Sequence, residues 1–168
     1  MISNFKRDLA AARDAEILVL QLLTGATDAY TFEWVGDNRD YFHKGDIKAV
    51  NKSTGKEIYI EVKDDSRIAD TDNILCEDAV DYDDYTVRGN IYNEFDVYVV
   101  VSKQERKIYV LDGRVLKANY KLGQYKYIQH RQQATEAYLL PLVVMKRRGG
   151  LLATISYDLE SRRASIAA

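Results

Sequence analysis

The sequence contains two acids and a lysine whose spacing would bring them together in a β-hairpin as a candidate catalytic site: Asp46, Glu61 and Lys63. They lie in two β-prone runs, HKGDIKAV and EIYIEVK, on either side of the polar cluster 51–56, and this pattern predicts a β-hairpin. If the turn is centred within the cluster, Asp46 lies directly opposite Glu61 on one face, with the two Cβ atoms about 5 Å apart. Strict alternation places Lys63 on that same face.

Two adjacent carboxylates repel each other and are costly to desolvate, so stability alone does not favour this pair. A divalent cation changes the balance, because both carboxylates can reach one Mg²⁺ ion, with Mn²⁺ as a substitute. The main-chain carbonyl of Val62 would offer a third ligand. Lys63 would then hold a phosphate oxygen or orient an attacking water. These residue types and spacings indicate metal-assisted hydrolysis of phosphodiester bonds.

Gly45-Asp46, a gap of fourteen residues and Glu61-Val62-Lys63 resemble the signature of the PD-(D/E)XK nucleases, the restriction-endonuclease-like superfamily. The resemblance implies a Mg²⁺-dependent endonuclease that acts on DNA, with Asp46 and Glu61 as metal ligands and Lys63 assisting hydrolysis. Gly45 stands where the motif has its proline, at a position that varies in the family. With its surrounding elements, the match covers about the first two-thirds of the chain.

A helix is predicted from Phe5 to Leu23, with Asn4 as its N-cap. Glu16 lies within one of its two apolar faces. The resemblance implies a fourth catalytic residue here, because family members often carry a glutamate on the first helix that points at the metal. A slightly rotated helix would instead turn Glu16 to solvent. The first face contains Leu9, Ala12, Val19, Leu20 and Leu23, and the rival face contains Ala11, Ala15, Leu18 and Leu22.

The order of elements predicts an α/β (α+β) fold with a restriction-endonuclease-like core, a mixed sheet of about five strands flanked by helices. An alternating first strand is predicted at 29–35, before the hairpin. Two strands follow the acidic segment: 95–102, whose nearly continuous apolar run is typical of a central strand, and 107–111. The length of 168 residues fits a single domain, 1–168. Within it, residues 64–94 are interpreted as an acidic, partly helical insertion beside the site.

The last third of the chain is predicted to contain short helices at 114–119 and 129–140, a short strand at 142–145 and a frayed helix at 158–168. Cations alternate with tyrosines between residues 117 and 131, and such a stretch can contact phosphates and stack bases. An ordinary surface strand with packed tyrosines is the alternative. The residues predicted to bind nucleic acid are Lys121, Lys126, Arg131, Lys146, Arg147 and Arg148.

Charge is distributed unevenly along the chain, although its net value is only −2. Residues 1–100 carry 11 lysines and arginines and 21 acids, whereas residues 101–168 carry 13 and 5. A basic half can follow a phosphate backbone while an acidic half holds the metal. DNA is therefore the expected partner, and a homodimer remains open.

The expected location and the competing function depend on what the sequence lacks. It has no apolar run of 18 residues and no signal-peptide core, so no membrane association is expected. The single cysteine, Cys76, indicates a reducing compartment and a cytoplasmic protein, with a small buried thiol. The alternative to a nuclease is a catalytically silent domain of the same fold that serves as a nucleic-acid or protein interaction module.

Overall fold

The computed structural model describes residues 4–82, 84–129, 133–158 and 164–167. Its helices are α1 (Asn4–Ala26), α2 (Ile68–Thr71), α3 (Gly113–Asn119) and α4 (Leu142–Arg147). Its strands are β1 (Tyr30–Trp34), β2 (Ile47–Asn51), β3 (Glu57–Asp64), β4 (Asn73–Tyr82), β5 (Thr86–Arg88), β6 (Val97–Ser102), β7 (Lys107–Asp112), β8 (Gln124–Gln129), β9 (Gln133–Pro141), β10 (Leu151–Tyr157) and β11 (Ala164–Ala167).

The larger sheet has the strand order β1-β2-β3-β6-β7-β10-β11. It is mixed, because β3 and β6 run parallel while the other neighbours run antiparallel. The predicted α/β class and mixed sheet are confirmed, and the five predicted strands occupy five neighbouring positions. Two further strands extend the sheet. The predicted helix at 158–168 is wrong for residues 164–167, which pair with the edge of β10, because strand pairing overrides the helix preference of alanine.

A second, antiparallel sheet has the order β5-β4-β9-β8. The sequence predicts a partly helical insertion at 64–94; this segment contains the short helix α2, and it also supplies β4 and β5 of the second sheet, which the sequence did not predict. The predicted helix at 129–140 is also wrong for its described residues, because β9 pairs with β4 along its length and with β8 on its other side. The predicted strand at 142–145 is instead the start of α4, which begins directly after the extended Pro141.

Each face of the larger sheet is covered by a different layer. Helix α1 covers one face, where Ala15, Val19 and Leu22 pack with a group that includes Ile60 and Val62. Since neighbours along a strand point to opposite faces, Glu61 and Lys63 project to the other side. The second sheet lies on that side, and the segment 64–94 therefore flanks the predicted site.

The second core cluster lies between the two sheets and contains Tyr98 and Val100 of β6 with Ile74 and Cys76 of β4. Cys76 is fully buried, as predicted for a structural thiol, and burial raises its pKa to about 12. No helix in the described part of the chain is long and apolar enough to cross a membrane.

Candidate active site

The register of the β2–β3 hairpin is the one predicted from its turn. Ile47 pairs with Ile60, and Lys48 pairs with Tyr59. The main-chain N–H of Asp46, just before β2, donates to the carbonyl oxygen of Ile60 at 2.9 Å, although Ile60 already pairs with Ile47, so the regular ladder ends at Ile47. Asp46 nevertheless lies beside Glu61, because its N–H and its carboxylate contact Ile60 and Val62, the residues on either side of Glu61.

Gly45 sets the path of the chain into this site. Its φ of +142° lies in a region that favours glycine, and a Cβ atom there would lie 2.7 Å from the carbonyl oxygen of Ile60. Proline cannot replace it, because the proline ring holds φ near −65°. Gly45 is thus a structural departure from the proline-containing motif, and it allows the chain to approach β3 closely just before Asp46.

The Asp46 carboxylate is held in place by β3. Its Oδ2 accepts a hydrogen bond from the Val62 N–H at 2.8 Å, and Oδ1 accepts none from the described residues. The N–H and C=O of a strand residue point to the same strand edge, so the Val62 carbonyl is directed to this side, beyond the end of β2. Burial raises the pKa of Asp46 to about 7, and the charge of Glu16 adds to the increase.

Glu61 is the more buried member of the pair, with 8% of its surface exposed. Its Oε2 accepts a hydrogen bond from the side-chain amide of Asn93 at 3.2 Å. Burial, together with the charge of Asp46, raises the pKa of Glu61 to about 8. The ammonium of Lys117 donates to the carbonyl oxygens of Asn93 and Phe95, at 2.5 and 3.1 Å, and so anchors the segment that carries Asn93.

Lys63 lies on the same side of the sheet as Glu61, and its positive charge partly opposes the increase in the pKa of Asp46 and of Glu61. Its ammonium, however, forms an ion pair with Glu77 of β4. Both side chains of this pair are about one-fifth exposed, at 22% and 21%. The sequence pattern did not identify Asn93 or Glu77, because no local spacing connects either residue to the hairpin.

Glu16 is half-buried on α1 rather than turned to solvent. The indole N–H of Trp34 donates to its Oε2 at 2.6 Å. Burial raises the pKa of Glu16, and the charge of Asp37 adds to the increase. The charge of Glu16 in turn raises the pKa of Asp46, so the two carboxylates interact electrostatically. A catalytic role for Glu16 stays a prediction.

The donor set fits a small, hard cation. Among the described residues, no three His, Cys, Asp or Glu side chains form a metal-ligand group. The hairpin offers two carboxylates, Asp46 and Glu61, and the Val62 carbonyl beside them. Mg²⁺ is commonly held by one or two carboxylates while it keeps several waters. The residues therefore match Mg²⁺ better than Zn²⁺, whose sites are typically four-coordinate with His and Cys ligands.

Two of the residues predicted to bind nucleic acid, Lys121 and Lys126, are exposed, whereas Arg131 lies outside the described residues. Lys126 of β8 pairs with Ala137 of β9, which pairs with Glu77 of β4. Directly paired residues share a face, so Lys126 lies on the same face as Glu77 and about 10 Å from it, two strand spacings away.

The basic cluster Lys146–Arg148 is exposed where α4 ends. Leu151, three residues later, is aligned through Leu111 and Tyr98 with Glu61. This row crosses three strand spacings, or about 14 Å. The cluster therefore borders the sheet at the level of the carboxylate pair but is not part of it.

Together, the fold and the site define a mixed α/β protein with two adjacent carboxylates, one buried and one partly buried, at the end of a hairpin. Comparisons with protein-family models, with curated proteins and with solved structures found no match to this chain. The function is therefore inferred from the geometry of the site.

The stability of the metal-free protein is expected to fall as pH rises from about 4 to about 8. The ordinary pKa values of Asp46 and Glu61 are 3.8 and 4.5, and folding raises them to about 7 and about 8. In this window the folded chain binds more protons than the unfolded chain, so the free energy of unfolding decreases with pH. A tenfold change in a proton-binding constant corresponds to about 1.4 kcal/mol, so the loss of stability should be large enough to appear as a fall in Tm.

The measurement is a series of thermal melts in EDTA from pH 5 to pH 8. Asp46→Asn is the matched variant, because it keeps the acceptor for the Val62 N–H and removes the charge. Its Tm should fall less with pH than that of the wild type. Parallel pH profiles for the two proteins would contradict the raised pKa values.

Proposed function

We propose that this chain is a Mg²⁺-dependent endonuclease that hydrolyses phosphodiester bonds in DNA, built on a restriction-endonuclease-like core. The observation that carries the proposal is the placement of Asp46 beside Glu61 at the open end of the β2–β3 hairpin, with the pKa of both raised by burial. This arrangement is unfavourable in the metal-free protein, because each charge opposes the other. A divalent cation would convert that repulsion into attraction.

In this proposal the residues of the hairpin bind the ion, and two neighbouring groups orient them. Asp46, Glu61 and the Val62 carbonyl would hold the ion, which supplies a bound water of lowered pKa and positive charge near the scissile phosphate. The Val62 N–H and the Asn93 amide keep the two carboxylates oriented.

The remaining roles belong to two charged side chains. Lys63 donates a hydrogen bond to a phosphate oxygen or to the attacking water, at a place where negative charge develops. Glu16 accepts a hydrogen bond from a water on the α1 side of Asp46.

DNA as the substrate is supported by cations on two sides of the carboxylate pair. Lys126 lies across the second sheet, and the Lys146–Arg148 cluster lies at the end of α4, shortly before Leu151, which is about 14 Å from Glu61 along the larger sheet. That distance corresponds to about four nucleotides of a DNA strand, at about 3.4 Å each. The cations could therefore contact phosphates on both sides of the one being hydrolysed.

One observation favours a catalytically silent interaction module as the alternative. Lys63 forms its ion pair with Glu77, so its ammonium already has a partner. In a silent domain this pair would simply link β3 to β4. The two functions differ in whether the chain cleaves DNA when a divalent ion is supplied.

The decisive test is nicking of supercoiled plasmid in Mg²⁺ or Mn²⁺, compared with EDTA and run beside thermal melts. We expect cleavage with either ion, none in EDTA, and an increase in Tm on addition of the ion, because binding to the folded state stabilises it. No cleavage and no change in Tm with either ion would favour the silent module.

Changing Lys146, Arg147 and Arg148 together to alanine is expected to weaken DNA binding and flatten its dependence on salt. Each lost phosphate contact lowers the slope of log K against log salt by about 0.9. Binding of a labelled duplex at several salt concentrations, in Ca²⁺, measures this slope. The matched control changes Lys52 and Lys56, two exposed lysines at the far end of the hairpin, and should leave the slope unchanged. Equal slopes for the wild type and the triple variant would exclude the cluster from the DNA contact.

A further inference from the structure

The ion pair between Lys63 and Glu77 joins the hairpin to the second sheet. Lys63 belongs to β3 of the larger sheet, and Glu77 belongs to β4 of the second sheet. The charge of Glu77 also acts on the site itself, because it raises the pKa of Glu61. Glu77 is therefore close to both Lys63 and the buried carboxylate.

Glu77 is presented by an irregularity in its strand. The pairing of β4 with β9 shifts register between Glu77 and Ala79, so Asp78 is an extra residue at a β-bulge. A bulge changes the direction in which a neighbouring side chain points, and bulges are over-represented next to active sites.

Three contacts fix this bulge. The carboxylate oxygen Oδ1 of Asp78 accepts hydrogen bonds from the hydroxyls of Tyr92, at 2.7 Å, and Tyr120, at 3.1 Å. The Asp78 carbonyl accepts one from the Gly89 N–H at 2.9 Å. Gly89 packs so closely that a Cβ atom there would lie 2.0 Å from the Glu77 carbonyl oxygen. The main chain at Glu77 is therefore held in place by the loop at Gly89 and by the two tyrosines that bind the Asp78 carboxylate.

A lysine side chain is long and flexible, and holding it in one position costs conformational entropy. An acid on a fixed backbone can hold the lysine side chain in one position, so this conformational entropy is lost before substrate binds. We propose that Glu77 is the positioning residue of the site: it holds the Lys63 ammonium beside Asp46 and Glu61, ready to donate to the phosphate. This inference rests on the proposed nuclease function. It gives the segment 64–94 a role in catalysis.

The test compares Glu77→Ala and the isosteric Glu77→Gln with the wild type in steady-state nicking assays. Loss of a partner that orients a catalytic group typically lowers activity about 10- to 100-fold. We expect Glu77→Ala to lower kcat within that range and to leave KM and the ion-induced rise in Tm unchanged. Glu77→Gln should retain part of the activity, because it keeps an oxygen acceptor. Glu57→Gln is the control, because Glu57 is on the same strand β3 and pairs with a different lysine, Lys48 of β2. Its kcat and KM should match those of the wild type.

A second measurement does not depend on cleavage. Reductive methylation of the metal-free protein, followed by mass spectrometry, reports how readily each lysine reacts. Lys63 should be modified several-fold faster in Glu77→Ala than in the wild type, and Lys48 should respond instead in Glu57→Gln. If Lys63 reacts at the wild-type rate in Glu77→Ala, Glu77 does not hold it.

The outcomes separate this inference from the proposed function. A wild type that nicks DNA, with Glu77→Ala equal to it, overturns the role of Glu77 alone. Loss of activity together with loss of the ion-induced rise in Tm also overturns it, because Glu77 would then act on ion binding or on the fold. A wild type that neither nicks nor responds to the ion overturns the proposed function, and the role of Glu77 with it.

Discussion

Glu61→Gln is expected to lower metal-dependent nicking by at least about 100-fold while the metal-free protein keeps or gains stability. Loss of a residue that merely orients a metal ligand costs about 10- to 100-fold, and loss of a charged ligand should cost no less. The stability follows from burial. Glu61 is 8% exposed and lies beside Asp46, so a neutral side chain of the same shape removes repulsion between two carboxylates.

Nicking assays and thermal melts in EDTA at pH 8 test both halves of this expectation. Glu57→Gln, at the start of β3, is the matched control, since it makes the same chemical change at an exposed acid outside the site. Equal nicking by Glu61→Gln and the wild type would exclude Glu61 as a metal ligand. A markedly lower Tm for Glu61→Gln would show that the charge of Glu61 stabilises the folded protein.

Lys63→Ala should abolish turnover and leave the binding of the ion largely intact. A lysine is not a metal ligand, so the increase in Tm on addition of Mg²⁺ or Mn²⁺ should persist. Cleavage should fall by about 100-fold or more, the range typical for loss of a positioned acid–base group. The variant also leaves the half-buried Glu77 without its partner, so the metal-free protein should lose some stability.

The double variant Lys63→Ala with Glu77→Ala separates these effects. It removes the unpaired acid and should recover stability, but it should not recover cleavage. Lys103→Ala is the control for removal of a lysine, because it breaks a more exposed pair with Asp64 at the end of the same strand. If Lys63→Ala nicks DNA at the wild-type rate, Lys63 has no catalytic role.

The sequence alone was sufficient to predict the hairpin and its register. A polar turn between two alternating strands leaves few pairings that keep Ile58, Ile60 and Val62 on the core face, and a slip of one residue would expose all three. This register brings Asp46 next to Glu61 at the open end of the hairpin. Helix α1 was predictable for a similar reason, since its apolar face repeats within a few residues. Local pattern is enough where the interacting residues are close in the chain.

Only the tertiary structure determined the surroundings of that hairpin. Residues of β9 favour a helix locally, yet they form a strand because β4, more than fifty residues earlier, offers a partner along its whole length. The same long-range pairing places β4, part of the predicted acidic insertion, in the second sheet and brings Glu77 to Lys63. Asn93 reaches Glu61 through a loop that Lys117 anchors from α3. These contacts join segments that are far apart in sequence, and their free energy appears only when the two sheets pack together, so no local spacing could reveal them.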